Sequence, residues 1–243
     1  MADRRGGARV EAVALTRRFG PNTALDRLTL TIEPGEAFGL LGANGAGKTT
    51  FIRLITGYLI PTGGTVTVDG FSPVTHPARV HARLGYVAET TRLYADLRVE
   101  QFLRFAGEVH GLSGAQLGRA VERSIERFAL AGVARRLVGN LSKGFQQRVS
   151  LAQAFLHDPA LVIVDEPTSG LDPLQQAEVD EVLAALRGER TLILCTHDLS
   201  EARKLASRVA VLRQGRLVAA GPAAEVLGGS DPLALFRSRE AAA

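Results

Sequence analysis

Gly42-Ala43-Asn44-Gly45-Ala46-Gly47-Lys48-Thr49 is the stretch whose reading decides the fold. It fits Gly-x-x-x-x-Gly-Lys-Ser/Thr, a pattern in which each residue type has a chemical reason to stand where it does. Glycines let the backbone curl so that successive N–H groups point inward at phosphate oxygens. The positive end of the helix that follows adds to that field. The Lys48 ammonium is suited to reach the β- and γ-phosphates of a nucleotide, and the Thr49 hydroxyl to ligate Mg²⁺. Only three lysines occur in the chain, Lys48, Lys143 and Lys204, and one of them falls here. The bland alternative is a flexible glycine turn, against which the flanking sequence argues.

Immediately upstream, Ala37 to Leu41 is a short apolar run typical of a strand buried on both faces. Downstream, Phe51, Leu54, Ile55, Tyr58 and Leu59 fall at helical spacing. Further out, Leu28, Leu30 and Ile32 alternate with threonines as in a strand, and Glu33-Pro34-Gly35-Glu36 supplies a turn. Gly63-Gly64 leads into a strand at Val66 to Val68, closed by Asp69-Gly70. From about Val99 to Leu130 the period is helical, with Phe102, Leu103, Ala106 and Val109 on one face. A helix after Ser142 buries Val149, Ala152 and Phe155. Leu161 to Val164 and Leu192 to Cys195 read as central parallel strands, separated by a helix carrying Val179, Val182, Leu183 and Leu186. Val209 to Leu212 and Leu217 to Ala219 pair through a turn at Gln214-Gly215. Strands alternating with helices predict an α/β sheet.

Two of these strands end in groups that can do chemistry. Leu161-Val162-Ile163-Val164 runs into Asp165-Glu166, and open α/β sheets place ligands at such strand ends. Asp165 is suited to hold a metal, usually through water. Glu166 is suited to polarise an attacking water as general base. Acids after a buried strand also serve simply to cap a helix or loop. His197 follows the second strand in a Thr-His-Asp sequence, where its imidazole can reach a γ-phosphate and lytic water. His76, His81, His110 and His157 have no such setting and read as surface or packing residues, and Cys195 as a buried strand thiol.

Composition narrows the function classes. The chain has 243 residues, 46% apolar and 22% charged, as in an ordinary globular protein. No apolar run is long enough to span a bilayer. Only Met1 to Ala8 and the Ala-rich last residues look disordered, and the amino terminus lacks the apolar stretch of a secretion signal. A lone cysteine cannot form an internal disulfide and fits a reducing cytoplasm. The net charge of +4 comes from scattered arginines, without the basic stripe and interleaved aromatics of a nucleic-acid binder.

Leu141-Ser142-Lys143-Gly144-Phe145-Gln146-Gln147-Arg148, taken with Gly42–Thr49, Asp165-Glu166, Ser169-Gly170-Leu171-Asp172 and Thr196-His197, resembles the nucleotide-binding subunit of ATP-binding cassette (ABC) transporters. The resemblance covers nearly the whole chain, with the motifs in family order. It implies a P-loop NTPase (RecA-like) core with an antiparallel β subdomain and an inserted α-helical subdomain. The single domain would divide into a core at 8–88 and 157–222, a helical subdomain at 89–156 and a tail at 223–243. It implies ATP and Mg²⁺ as ligands, with Gly42, Ala43, Asn44, Gly45, Ala46, Gly47, Lys48, Thr49 and Thr50 around the phosphates. Glu89 stands where the family usually has Gln, and joins Thr49 and Asp165 at the metal. Glu166, His197 and Lys48 would form the catalytic set. Phe19 looks like the aromatic on which adenine stacks, though a lone aromatic serves equally well as core. Ser142 and Gly144 look like the signature motif that contacts the γ-phosphate of ATP held by another protomer. Lys143 and Phe145 depart from the commonest form of that motif. The departures and the pattern after Leu93-Tyr94 look like an export-type branch that pairs with a separate integral-membrane permease, docked over Glu89 to about His110. A homodimer or heterodimer on the cytoplasmic face of the membrane follows from the same resemblance. Non-transport relatives with two cassettes or long coiled coils, and small-molecule kinases with this loop, fit the sequence less well.

Overall fold

Alternating apolar residues build the first layer. In the computed structural model, which describes residues 6–90 and 93–229, β1 (Val10–Phe19) and β2 (Asn22–Ile32) form an antiparallel hairpin. Val10, Ala12 and Leu15 of β1 face inward with Leu28, Leu30 and Ile32 of β2, as period two requires. The chain turns at Glu33 to Glu36 into β3 (Ala37–Leu41), every residue of which is buried. The phosphate loop follows, then α1 (Lys48–Ile55). This helix is shorter than its apolar spacing predicts. Gly57 adopts φ 74°, a left-handed conformation that glycine takes at little cost and that ends helices. Tyr58, expected on the buried face, is consequently 77% exposed. β4 (Gly63–Val68) then returns to pair with β1, giving a three-stranded sheet in the order β2-β1-β4.

After α2 (Pro77–His81) and β5 (Leu84–Val87), three helices occupy the span before the next strand. The helical period from Val99 to Leu130 resolves into α3 (Val99–Val109) and α4 (Gly114–Arg127), parted at Gly111 to Ser113. α3 buries Val99, Phe102, Leu103 and Ala106, but Val109 is 69% exposed. At 100° per residue Val109, the last residue of α3, falls about 20° beyond Phe102 at the margin of the buried stripe, so it sits at the edge of the face assigned to it from sequence. α5 (Lys143–Phe155) buries Val149, Ala152 and Phe155 as its spacing predicts. Ser124 of α4 ties the two helices by donating to the Ala152 carbonyl at 3.1 Å.

β6 (Leu161–Asp165), α6 (Pro173–Ala184), β7 (Thr191–Thr196) and α7 (Leu199–Leu205) complete the alternation. β8 (Arg208–Arg213) and β9 (Arg216–Pro222) make the last hairpin, followed by α8 (Ala223–Leu227). The main sheet runs β5-β6-β7-β3-β8-β9, parallel except for β9. Both faces are covered. Leu161, Ile163, Ile193 and Cys195 pack toward α1 and the antiparallel sheet, while Val162, Val164, Leu192 and Leu194 pack toward α3 to α6. Ala8, grouped by composition with a disordered start, is fully buried. Its N–H donates to the Thr191 hydroxyl at 2.9 Å, and that hydroxyl donates back to the Ala8 carbonyl. The expected tail lies partly outside the described residues, which end at 229. Among the described residues no helix is long and apolar enough to cross a membrane.

One contact makes the fit between helices and sheet measurable. A methyl group on Gly85 of β5 would stand 2.3 Å from the Ala154 carbonyl oxygen of α5. Gly85→Ala should therefore destabilise the fold by about 1–3 kcal/mol through overpacking. An unchanged denaturation midpoint in urea would show that α5 does not press on β5 there.

Candidate active site

The parallel register brings three strand ends together. Leu41 at the end of β3 is level with Thr196 at the end of β7, and Cys195 of β7 is level with Asp165 at the end of β6. β7 lies between the other two, so the phosphate loop, the two acids and the histidine leave the sheet at one edge. That edge opens into a cleft of about 530 Å³ lined by Ala24, the 43–50 segment, Glu89, Asp165 and Glu166.

The loop is built to present backbone N–H groups. Gly47 holds φ 110°, and a Cβ there would come within 2.8 Å of the Ala24 carbonyl oxygen, so only glycine fits. Gly47 is also the residue before α1, and no side chain caps that helix. Its first N–H groups therefore lack a side-chain acceptor, the condition that suits an anion. From outside, the β8–β9 turn braces the loop: Gly215 N–H donates to the Ala46 carbonyl at 3.0 Å, and Asp26 N–H to the Gly215 carbonyl at 2.9 Å.

Lys48 is only 6% exposed. Its ammonium donates to the Gly42 carbonyl at 2.6 Å and lies 3.4 Å from Glu166 Oε1. The other oxygen, Oε2, is 2.8 Å from His197 Nδ1, which places the proton on Nδ1 and leaves Nε2 toward solvent. Glu166 thus bridges the lysine and the histidine. Its backbone sits at φ 48°, costing roughly 1–3 kcal/mol for a residue with a side chain. A hydrogen bond from its N–H to the Cys195 carbonyl at 2.8 Å helps hold that conformation.

Asp165 is 4% exposed, and its pKa is pushed up to about 6. Burial is the main cause, then the Glu166 and Glu89 charges, with Lys48 and Arg53 pulling the other way. The cleft therefore holds three carboxylates against one nearby ammonium, a balance that favours a cation. Hard oxygen donors, with the Thr49 hydroxyl among them, suit Mg²⁺. Among the described residues no group of three or more His, Cys, Asp or Glu is set to hold a metal alone.

Other residues singled out from sequence stand elsewhere. Phe19, at the end of β1, is 44% exposed and does not line the cleft. The Arg17 guanidinium covers one face of its ring at 4.6 Å from the centroid. Ser142 caps α5, its hydroxyl oxygen accepting from Phe145 N–H. Gly144 is buried against the Gln175 side chain of α6. Neither Ser142 nor Gly144 lines the Lys48 cleft. Lys143, Ser169 and Gly170 line an adjoining cleft together with Glu89. Cys195 is fully buried, and burial raises its thiol pKa well above the usual value. His157 is buried and its ring stacks on His110 at 3.8 Å.

Sequence reasoning passed over one acid near this edge. Glu201, on α7, is 4% exposed and accepts from the Thr168 hydroxyl at 3.0 Å. Its position beside Ala202, in the row that α7 turns inward, was the available signal. Burial, opposed by the Thr196 and Thr168 hydroxyls and reinforced by the charges of Asp180 and Asp198, pushes its pKa up from 4.5 to about 7.

The family model described as ABC transporter matches residues 25–169. The chain is 37% identical over 213 residues to the probable multidrug ABC transporter ATP-binding protein YbhF of Escherichia coli K12, covering 87% of this chain but 37% of that protein. It is also 37% identical over 235 residues to the Nod factor export ATP-binding protein I of Paraburkholderia xenovorans LB400, covering 94% of this chain and 77% of that one. A solved structure titled as an ATP binding subunit of an ABC transporter superposes with a TM-score of 0.80 at 31% identity, over 90% of this chain and 92% of that one.

The raised Glu201 pKa has a consequence for stability. The folded protein keeps this proton up to about pH 7, whereas the unfolded chain releases it near 4.5. Stability from this group is therefore complete below 4.5 and is lost as pH rises through 7. Glu201→Gln, which does not titrate, should gain on the wild type between pH 5 and pH 8 in denaturant unfolding. A difference that stays constant with pH would contradict the assignment.

Proposed function

The chain belongs to the ABC transporter family of ATP-binding proteins, and from that premise we propose that it hydrolyses ATP to power export through a separate membrane permease. The observation that carries this reading is the convergence of Lys48, Asp165 and Glu166 on one cleft beside an uncapped helix start, with His197 hydrogen-bonded to Glu166.

The triphosphate of ATP would lie along the N–H groups of Gly45 to Thr50, with Ala43 and Asn44 at the rim and Gly42 buried beneath, its carbonyl accepting from Lys48. Lys48 exchanges Glu166 Oε1 for phosphate oxygen. The freed oxygen then takes a proton from the attacking water, a role typically contributing about 10²- to 10⁴-fold in rate. His197 holds the other carboxylate oxygen through Nδ1–H, which leaves Nε2 an acceptor for the lytic water beside the γ-phosphate. Thr49, Asp165 and Glu89 would hold Mg²⁺, which would supply Lewis-acid stabilisation of the phosphoryl oxygens when bound. Phe19 offers adenine the ring face that Arg17 leaves open.

Ser142 and Gly144 lie outside their own Lys48 cleft, which supports a composite site. The N-terminus of α5 has no acidic residue in its first turn and suits the γ-phosphate of ATP held by a second subunit, identical or paralogous. ATP then favours the closed dimer by mass action, and its hydrolysis favours opening. The described residues outside the cleft leave Tyr94, Phe105 and Val109 exposed, with the Tyr94 and Phe105 rings edge-on at 5.3 Å. We place the permease contact on this patch, which puts the subunit on the cytoplasmic face of the membrane. No nucleic-acid partner is involved.

Glu166→Gln should keep ATP affinity, slow hydrolysis at least about a hundredfold and accumulate an ATP-bound dimer on size exclusion. Hydrolysis at the wild-type rate would remove Glu166 from the base role. Lys48→Ala should abolish tight ATP binding in calorimetry, and undiminished affinity would overturn the phosphate-loop assignment. Phe105→Glu should lose co-purification with the permease while binding ATP normally; retained co-purification would move the docking site elsewhere.

A further inference from the structure

Glu166 and His197 meet at 2.8 Å although they leave different strands, and the backbone of Glu166 is held in a conformation that its own chain does not favour. Something must fix the loop after Glu166 relative to the segment after Thr196. Besides the Glu166–His197 contact itself, two hydrogen bonds join them among the described residues. One is the Glu166 N–H to the Cys195 carbonyl. The other is the Thr168 hydroxyl to Glu201 Oε1 at 3.0 Å. Thr168 lies two residues beyond Glu166, in a turn where Ser169 N–H donates to the Glu166 carbonyl at 3.2 Å. Glu201 lies four residues beyond His197, in a helix whose start is capped by Asp198. Asp198 N–H in turn donates to the Thr196 hydroxyl at 3.0 Å.

An acid is an odd choice for this place. The other buried residues of α7 are Ala202 and Leu205, and an apolar side chain would pack there without a desolvation cost. One oxygen of Glu201, Oε2, has no hydrogen-bond partner among the described residues, so the carboxyl is not kept to satisfy a surrounding network. Its Oε1 accepts from Thr168, in the loop that carries the general base, and the Thr196 hydroxyl at the end of β7 acts on the same carboxyl.

We propose that Glu201 is a positioning residue for hydrolysis: through Thr168 it holds the Glu166 carboxylate in register with His197. The proposal rests on the ATPase reading above. It predicts a split between binding and turnover, because neither Glu201 nor Thr168 lines the nucleotide cleft. It also predicts that the amide of glutamine, whose carbonyl accepts the same hydrogen bond, replaces the acid.

The test uses the full chain, with ATP affinity measured by calorimetry and turnover by phosphate release. Glu201→Ala and Thr168→Val should each lower kcat roughly 10- to 100-fold, as expected for a misplaced catalytic group, with ATP affinity within about twofold of wild type. Glu201→Gln should stay within about threefold in both. The double variant Glu201→Ala with Thr168→Val should be no slower than the slower single variant, since both remove one tie. Wild-type kcat in Thr168→Val, multiplied losses in the double variant, or a parallel loss of ATP affinity would overturn the proposal. If Glu201→Ala fails to fold, Thr168→Val and Glu201→Gln decide the matter alone. Glu166→Gln serves as the control. Slow hydrolysis there with normal hydrolysis in Thr168→Val sinks only the Glu201 proposal, whereas normal hydrolysis in Glu166→Gln sinks the general-base role of Glu166 on which it rests, and absence of ATP hydrolysis by the wild type sinks the ATPase reading beneath both.

Discussion

A lysine ammonium with almost no access to water has to be met by oxygen, and most of the site's architecture can be traced to that demand at Lys48. The Gly42 carbonyl and Glu166 Oε1 meet it. For Gly42 to do so, the chain must fold back over the start of α1, which in turn needs glycine at position 47 against Ala24. For Glu166 to do so, β6 must end level with β7 and close to β3. An isolated buried ammonium would lose its proton or unfold the site. The pair satisfies its donors and aims it into the cleft, ready to change partners when a polyanion arrives.

The sheet order makes that geometry possible. β3 lies inside the sheet, with β7 on one side and β8 on the other, although long stretches of chain separate the three. The segment that leaves β3 builds the phosphate loop. The segments that leave β6 and β7 bring the acids and the imidazole from the other side. Helices α3 to α5 are inserted before β6, so they add the Ser142 surface without disturbing this edge. Fold and chemistry therefore share one cause, the common end of the parallel strands.

Most of this was legible in the residue pattern because buried parallel strands leave plain apolar runs and phosphate loops need glycine at fixed offsets. Ala37 to Leu41, Leu161 to Val164 and Leu192 to Cys195 all lie in strands at the anticipated places. What escaped depends on three dimensions. Tyr58 has helical spacing, but the left-handed Gly57 intervenes. Val109 belongs to α3 yet sits at the margin of its stripe, on the helix's last residue, and is exposed. Ala8 is tied down by Thr191, a partner 183 residues away, which no local pattern discloses. Glu201 reads as an ordinary helix surface acid until Thr168 is seen beside it.

The β8–β9 turn gives one last consequence. Hairpin tips are where chains usually gain and lose residues freely, because nothing leans on them. Gly215 is different: its N–H supports Ala46 and its carbonyl receives Asp26, so the tip is a strut wedged between the phosphate loop and the antiparallel sheet. Its length is thereby fixed from outside. Diverging descendants of this chain have latitude to lengthen other surface turns, but an extra residue at Gln214-Gly215 would push directly on the loop that grips the nucleotide.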